Sequence, residues 1–257
     1  MIRSGPQPPT RQHAATAVGV GLLLAGWTIV ATQQPTVLVP TPNETIDRLG
    51  ELAAGPLWAE LGRTVLRSLL GAGAAVLAGV TVGLTTGSSP IAAAMLRPTR
   101  ALLSGLPPII TVVLLSLWLG IDGDVAPWVV ALATMPLTWI ATAEAVRAID
   151  PDHIEMALGL RVSRWWRLTR LMLPAIRPPV TAASVYIAST SIRLTIMAEL
   201  LSGSDGIGAR IARARTTLDT PEVFAWALIA VILALVFEAL AVRVSPRTRR
   251  RLPSTLT

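Results

Sequence analysis

The sequence predicts an all-α polytopic membrane protein of about six transmembrane helices, carrying one helical loop on the cytoplasmic side. Three observations lead there. Of 257 residues, 52% are hydrophobic and only 14% are charged, where a soluble domain carries about 25%. Uncharged apolar runs recur at roughly 18 residues or more, enough to cross about 30 Å of hydrocarbon as helices. The charges between these runs alternate in sign from one side to the other.

Four runs meet the length criterion outright, at residues 14–32, 68–90, 101–121 and 125–143. Two more contain isolated charges: 179–201 holds Arg193 and Glu199, and 223–242 holds Glu238. The first run follows Arg3 and Arg11 but exceeds the 7 to 15 apolar residues usual in a signal peptide, so it reads as a retained helix. In the second, Gly71, Gly79, Gly83 and Gly87 form a face of small residues suited to close helix packing. Pro107, Pro108 and Pro136 are expected to break helices within spans, where protein or a watery cavity must accept the freed carbonyls.

Arginines are retained on the cytoplasmic side of a membrane. With Arg3 and Arg11 inside, so are Arg97 and Arg100, residues 147–177, and the tail bearing Arg247, Arg249, Arg250 and Arg251. Glu44, Asp47, Glu51, Glu60, Asp122 and Asp124 fall outside. Arg210, Arg213 and Arg215, in the outer segment 202–220, run against the pattern. The reading is a multi-pass protein of the cell membrane with both termini cytoplasmic.

Composition excludes several chemistries. All 22 basic residues are arginine, so there is no P-loop lysine, Schiff-base amine or lysine general base. No cysteine is present for disulfides, thiolate metal sites or nucleophilic catalysis. Only two histidines, His13 and His153, are present, which rules out most His-built metal or acid–base sites. The net charge of +7 suits a membrane surface better than nucleic acid, because aromatic stacking platforms are missing.

The most informative segment is 150–179. Asp150 is placed to cap a helix beginning at Pro151 and running to about Leu160, with Asp152 and Glu155 near the positive end of its dipole. Arg161 and Val162 break it, Ser163 caps a second helix, and Pro174 is expected to end that one. Arg164, Arg167 and Arg170 recur on the second helix opposite Trp165, Leu168 and Met172, a pattern that also fits an interfacial helix.

Glu155-Met156-Ala157, then Ser163-Arg164-Trp165, then Leu173-Pro174-Ala175-Ile176-Arg177-Pro178 resembles the EAA loop of ABC importer permeases. The likeness extends through Val39-Pro40-Thr41-Pro42, Leu106-Pro107-Pro108, Ala198-Glu199 and Gly206-Ile207-Gly208, which are similar to the nitrate, sulfonate and taurine branch. The resemblance implies a single transmembrane permease domain over 1–257, with its core at 62–245, the first span at 14–32 and the coupling loop at 147–178. It implies an ATPase-coupling set of Glu155, Met156, Ala157, Gly159, Arg161, Ser163 and Arg164. The partners implied are two cytoplasmic ABC ATPase subunits, a second permease chain, identical or homologous, an extracytoplasmic solute-binding protein and the lipid bilayer. This chain would bind no cofactor, ATP and Mg belonging to the ATPase. The solute implied is a small anion such as nitrate, a sulfonate or taurine. A vitamin precursor or another small organic molecule is the alternative.

Arg161 departs from the family motif, which has a glycine there; the turn is then strained or differently shaped, or Gly159 takes over the bend. Arg193 and Glu199 are the candidate pathway residues. An arginine deep in a span costs at least about 2.5 to 3.5 kcal/mol, so Arg193 must either pair with Glu199 or another span's acid, or meet an anion in the pathway. Glu199 suits a structural role near the outer gate as well as solute contact, and Glu238 an anchor at the inner interface. An ATP-independent secondary transporter would favour acidic or histidine residues at mid-membrane, a pattern this chain supports poorly.

Overall fold

A computed structural model describes residues 9–35, 38–120 and 124–244. Arg3, Asp122 and the arginines of the tail lie outside them. Among the described residues the secondary structure is helical, without strands. The chain divides into two compact units, Met1–Trp58 with Arg210–Ile229, and Ala59–Ala209 with Ala230–Thr257.

In the first unit, α1 (Pro9–Gln33) is the expected first span, its Leu22 and Leu23 exposed as hydrocarbon-facing residues would be. It is followed by the amphipathic α2 (Pro42–Ala54), whose start is a capping box: Thr41 Oγ1 accepts from the Glu44 N–H, and the Glu44 carboxylate accepts from the Thr41 N–H. Trp27 ties the two together. Its indole N–H donates to the Pro40 carbonyl at 3.0 Å, and its ring stacks on Phe224 at 5.8 Å. Arg48 is bracketed by Glu51, Asp219 and Glu222.

The second unit is built around α3 (Leu57–Ser88), α6 (Val125–Arg147) and α9 (Leu173–Ser202). The glycine face of α3 lies directly on α6. A Cβ at Gly71 would sit 2.6 Å from Val130 Cβ, and one at Gly83 2.5 Å from Thr142 Cβ. The interface also carries polar ties, from Thr138 Oγ1 to the Ala75 carbonyl at 3.1 Å and from Trp139 Nε1 to Thr86 Oγ1 at 2.8 Å. Val112, Leu115, Val125, Ala126, Val129 and Ala198 form one core cluster, and Ala72, Ala75 and Ile187 another.

Three expectations need correction. The run 101–121 is not one straight span but two helices, α4 (Pro90–Gly105) and α5 (Pro108–Leu119), bent by 103°. Pro107 and Pro108 lack N–H groups and push the residues before them out of the helical region, so the chain turns there. Pro136, by contrast, is held inside an unbroken α6. Pro174 does not end the second loop helix either. α8 (Arg164–Arg167) passes through a wide π turn at Leu168–Met172 straight into α9, in whose opening turn Pro174, lacking an N–H, is accommodated just after the π turn.

Four helical stretches among the described residues are long and apolar enough to cross a membrane: Leu57–Ser88, Val125–Arg147, Arg164–Ser202 and Thr220–Arg243. The bent α4–α5 pair makes a possible fifth, and the shorter apolar stretch Val18–Gln33 of α1 accounts for the remaining expected span. The chain is thus an all-α, multi-pass membrane protein, with four such helices among the described residues, five with the bent pair, and one shorter apolar helix, roughly the six expected.

Candidate functional site

The coupling-loop residues occupy one end of the bundle. α7 (Pro151–Gly159) is capped as its sequence requires, the Asp150 carboxylate accepting from the Asp152 N–H at 3.0 Å. Ser163 Oγ accepts from the Trp166 N–H at 3.1 Å and starts α8. Between them the chain reverses at Arg161, whose φ of 50° is left-handed. Gly159 stays within α7, so the bend falls on Arg161 itself. Met156 and Leu160 are exposed, at 57% and 69%, whereas Ala157 is turned inward and buried. The face offered outward is therefore Met156 and Leu160, not Ala157. Glu155 faces a cavity of about 630 Å³ that it shares with Arg147, Arg164 and Arg167.

At another place in the second unit lies a buried polar lattice. Glu199 is 1% exposed and its carboxylate accepts from Thr64 Oγ1 at 2.9 Å, Arg67 Nη1 at 3.2 Å and the Gly208 N–H at 3.2 Å. Arg67 continues to Asp205 at 2.6 Å and Asp124 at 2.8 Å. Buried Glu60 accepts from the Gly206 N–H at 2.7 Å. Gly206 has a φ of 97°, and a side chain there would run into the Glu199 carboxylate. Gly206-Ile207-Gly208 is thus the only kind of sequence that lets the turn close on these acids. Enclosed in this way, Glu199 holds the turn in place.

Arg193 does not pair with Glu199. Its Nη2 lies 2.8 Å from a Glu238 carboxylate oxygen, and both side chains are about half exposed, at 54% and 51%. Arg193 borders a cavity of about 350 Å³ lined also by Ile196, Ala230 and Leu235. A larger groove of about 660 Å³ runs between α5, α6 and α9, with Tyr186, Thr190, Thr134 and Pro108 in its walls. Tyr186 escaped the sequence reading, although it is the single tyrosine of the chain. Its spacing to Ala182, Ala183 and Thr190 is that of one helix face.

The model of the family described as "Binding-protein-dependent transport system inner membrane component" matches residues 75–250. This chain belongs to that family. It is a membrane-spanning permease subunit of an ABC importer, and so a transport component rather than an enzyme. The taurine transport system permease protein TauC of Escherichia coli (strain K12) is 28% identical over 93% of this chain and 91% of its own length. The putative aliphatic sulfonates transport permease SsuC of Bacillus subtilis (strain 168) is 29% identical over 82% and 73%. The nitrate import permease NrtB of Leptolyngbya laminosa is 24% identical over 90% and 85%. Among solved structures, an ABC transporter for import of the polysaccharide alginate has the same fold, with a TM-score of 0.57 at 15% identity, covering 92% of this chain and 98% of that one. An amino acid ABC transporter crystallised with histidines gives 0.60 at 15% identity, over 76% and 95%. Permeases of such importers work with ATPase subunits.

Proposed function

We propose that this permease carries a small oxyanion, a sulfonate, taurine or nitrate, and takes up the work of two ATPase subunits through its 150–163 loop. The carrying observation is that loop: two capped helices that present Met156 and Leu160 to the outside while Ala157 anchors them. Exposed apolar residues at the tip of a capped helix suit a hydrophobic groove, and Glu155 beside them offers a charge-assisted contact. A second permease chain completes the pathway, a binding protein delivers the solute from outside, and ATP and Mg act on the ATPase alone. Both termini are cytoplasmic in this arrangement. The names and the solutes of the relatives support the oxyanion class.

Along the pathway, the groove at Tyr186 and Thr190 carries the solute. Arg193, seven residues beyond Tyr186 on α9, lines the separate cavity of about 350 Å³ and supplies positive potential further along the same helix. Its guanidinium stays charged at any workable pH and matches a planar or tetrahedral oxyanion.

In the assembled importer, a cysteine at Met156 should crosslink to the ATPase, and Glu155→Gln should weaken transport more than assembly. Full transport and full ATPase association after both Glu155→Gln and removal of the turn at Arg161 would refute the loop assignment. The solute class is read separately, from competition for uptake between taurine, alkanesulfonates and nitrate.

A further inference from the structure

A second cluster of arginines, unrelated to the pathway, surrounds a cavity of about 240 Å³ between α4 and α6. Arg97 and Arg100 reach it from α4 and Arg147 from the end of α6, with Thr86 and Trp139 forming its floor. The floor is already satisfied. Thr86 Oγ1 donates to the Val82 carbonyl at 2.8 Å and accepts from Trp139 Nε1 at 2.8 Å, and both residues are buried. Arg147 gives one nitrogen to Glu144 at 3.3 Å and another to the Thr86 carbonyl at 3.2 Å. Arg97 and Arg100 have no hydrogen-bond or ion-pair partner among the described residues.

The surroundings offer them little compensation. No Asp or Glu occurs from residue 61 to 121, so α4 brings no counter-charge, and exposed Glu144 is already engaged. Three guanidiniums line one pocket, and of these only Arg147 has a carboxylate partner, so an anion entering the pocket would relieve their mutual repulsion. Their forked donors match phosphate oxygens bidentately.

We propose that this cavity binds a phosphate-type oxyanion, held by Arg97, Arg100 and Arg147. The nearest abundant source is an anionic phospholipid headgroup, because the remaining surface of α4 exposes Ile91, Met95 and Leu102 as a hydrocarbon-facing helix does. The site is independent of the solute carried. It shares Arg147 with the cavity beneath the coupling loop, so its occupancy braces the base of that loop.

The test uses the full-length chain with the subunits that co-purify, stripped of lipid by detergent exchange. Phosphatidylglycerol, phosphatidylcholine or inorganic phosphate is then added. Retained lipid is counted by native mass spectrometry, and phosphate is followed by thermal shift. Each arginine at an anionic headgroup contributes about fivefold in affinity. Arg97→Gln with Arg100→Gln should therefore weaken phosphatidylglycerol retention about thirtyfold and leave phosphatidylcholine unchanged. The two side chains have no partners to lose, so the variant should fold and assemble as the parent does. A phosphate-dependent shift in the parent that the variant lacks, without selective lipid retention, assigns the site to a soluble oxyanion. Equal retention of both lipids by parent and variant, with no phosphate effect, overturns the proposal.

Discussion

Arg161 holds a left-handed conformation with φ 50°, which costs a side chain with a Cβ about 1 to 2 kcal/mol. Arg161→Gly should remove that cost and raise the melting midpoint of the purified chain by about 2 to 8 °C, with transport retained. A lower midpoint would show that the arginine has a contact worth more than the strain. At Arg193 the ion pair with Glu238 sets up a sharper comparison. If the arginine serves an anion route, Arg193→Gln lowers uptake of the oxyanion. Glu238→Gln, by releasing the guanidinium, then leaves uptake unchanged or raises it. A purely structural pair predicts otherwise: both single variants lose assembly, and the double variant recovers it. Uptake in proteoliposomes, with assembly read by size exclusion, separates the two.

Between elements, the α3–α6 contact depends on the absence of side chains. A methyl at Gly83 would meet Thr142 Cβ at 2.5 Å and the Trp139 carbonyl at 2.8 Å, whereas one at Gly73 would meet nothing within 4 Å. Gly83→Ala should therefore cost about 1 to 3 kcal/mol through overpacking, and Gly73→Ala should be neutral or stabilising by up to about 1 kcal/mol. Thermal unfolding in detergent ranks them. The contrast also shows what a sequence makes legible. The small-residue spacing of α3 and the caps at Asp150 and Ser163 are local, so their consequences could be read directly. The two prolines at 107 and 108 announced a break but not its 103° angle, which depends on what α5 packs against. Pro174 was misread because proline at the start of a helix and proline beyond its end look alike in sequence, and the π turn that joins α8 to α9 has no signature of its own. Arg67 was passed over altogether. Its partners Glu199 and Asp205 lie 132 and 138 residues away, and only the fold brings them together.

For the whole molecule, the arginine asymmetry across the spans predicts an orientation that can be tested. Because the chain has no cysteine, single cysteines at Asp122 and Arg164 can be labelled without background. An impermeant reagent applied outside intact cells should reach the former and not the latter; labelling of both from outside would contradict cytoplasmic termini.

The continuity of α8, the π turn and α9 carries one more consequence. From Arg164 to Ser202 the chain is a single helical run of 39 residues, about 58 Å long at 1.5 Å per residue. Such a run behaves as a shaft. A displacement at Ser163 would enter the same helical run that bears Tyr186, Arg193 and Glu199, with no non-helical linker between them. The start of the run beside the 150–163 loop, the groove wall at Tyr186, and Glu199, which accepts from the Gly208 N–H, thus belong to one helical run. The π turn at Leu168–Met172, where the winding widens, is the joint at which that shaft can flex.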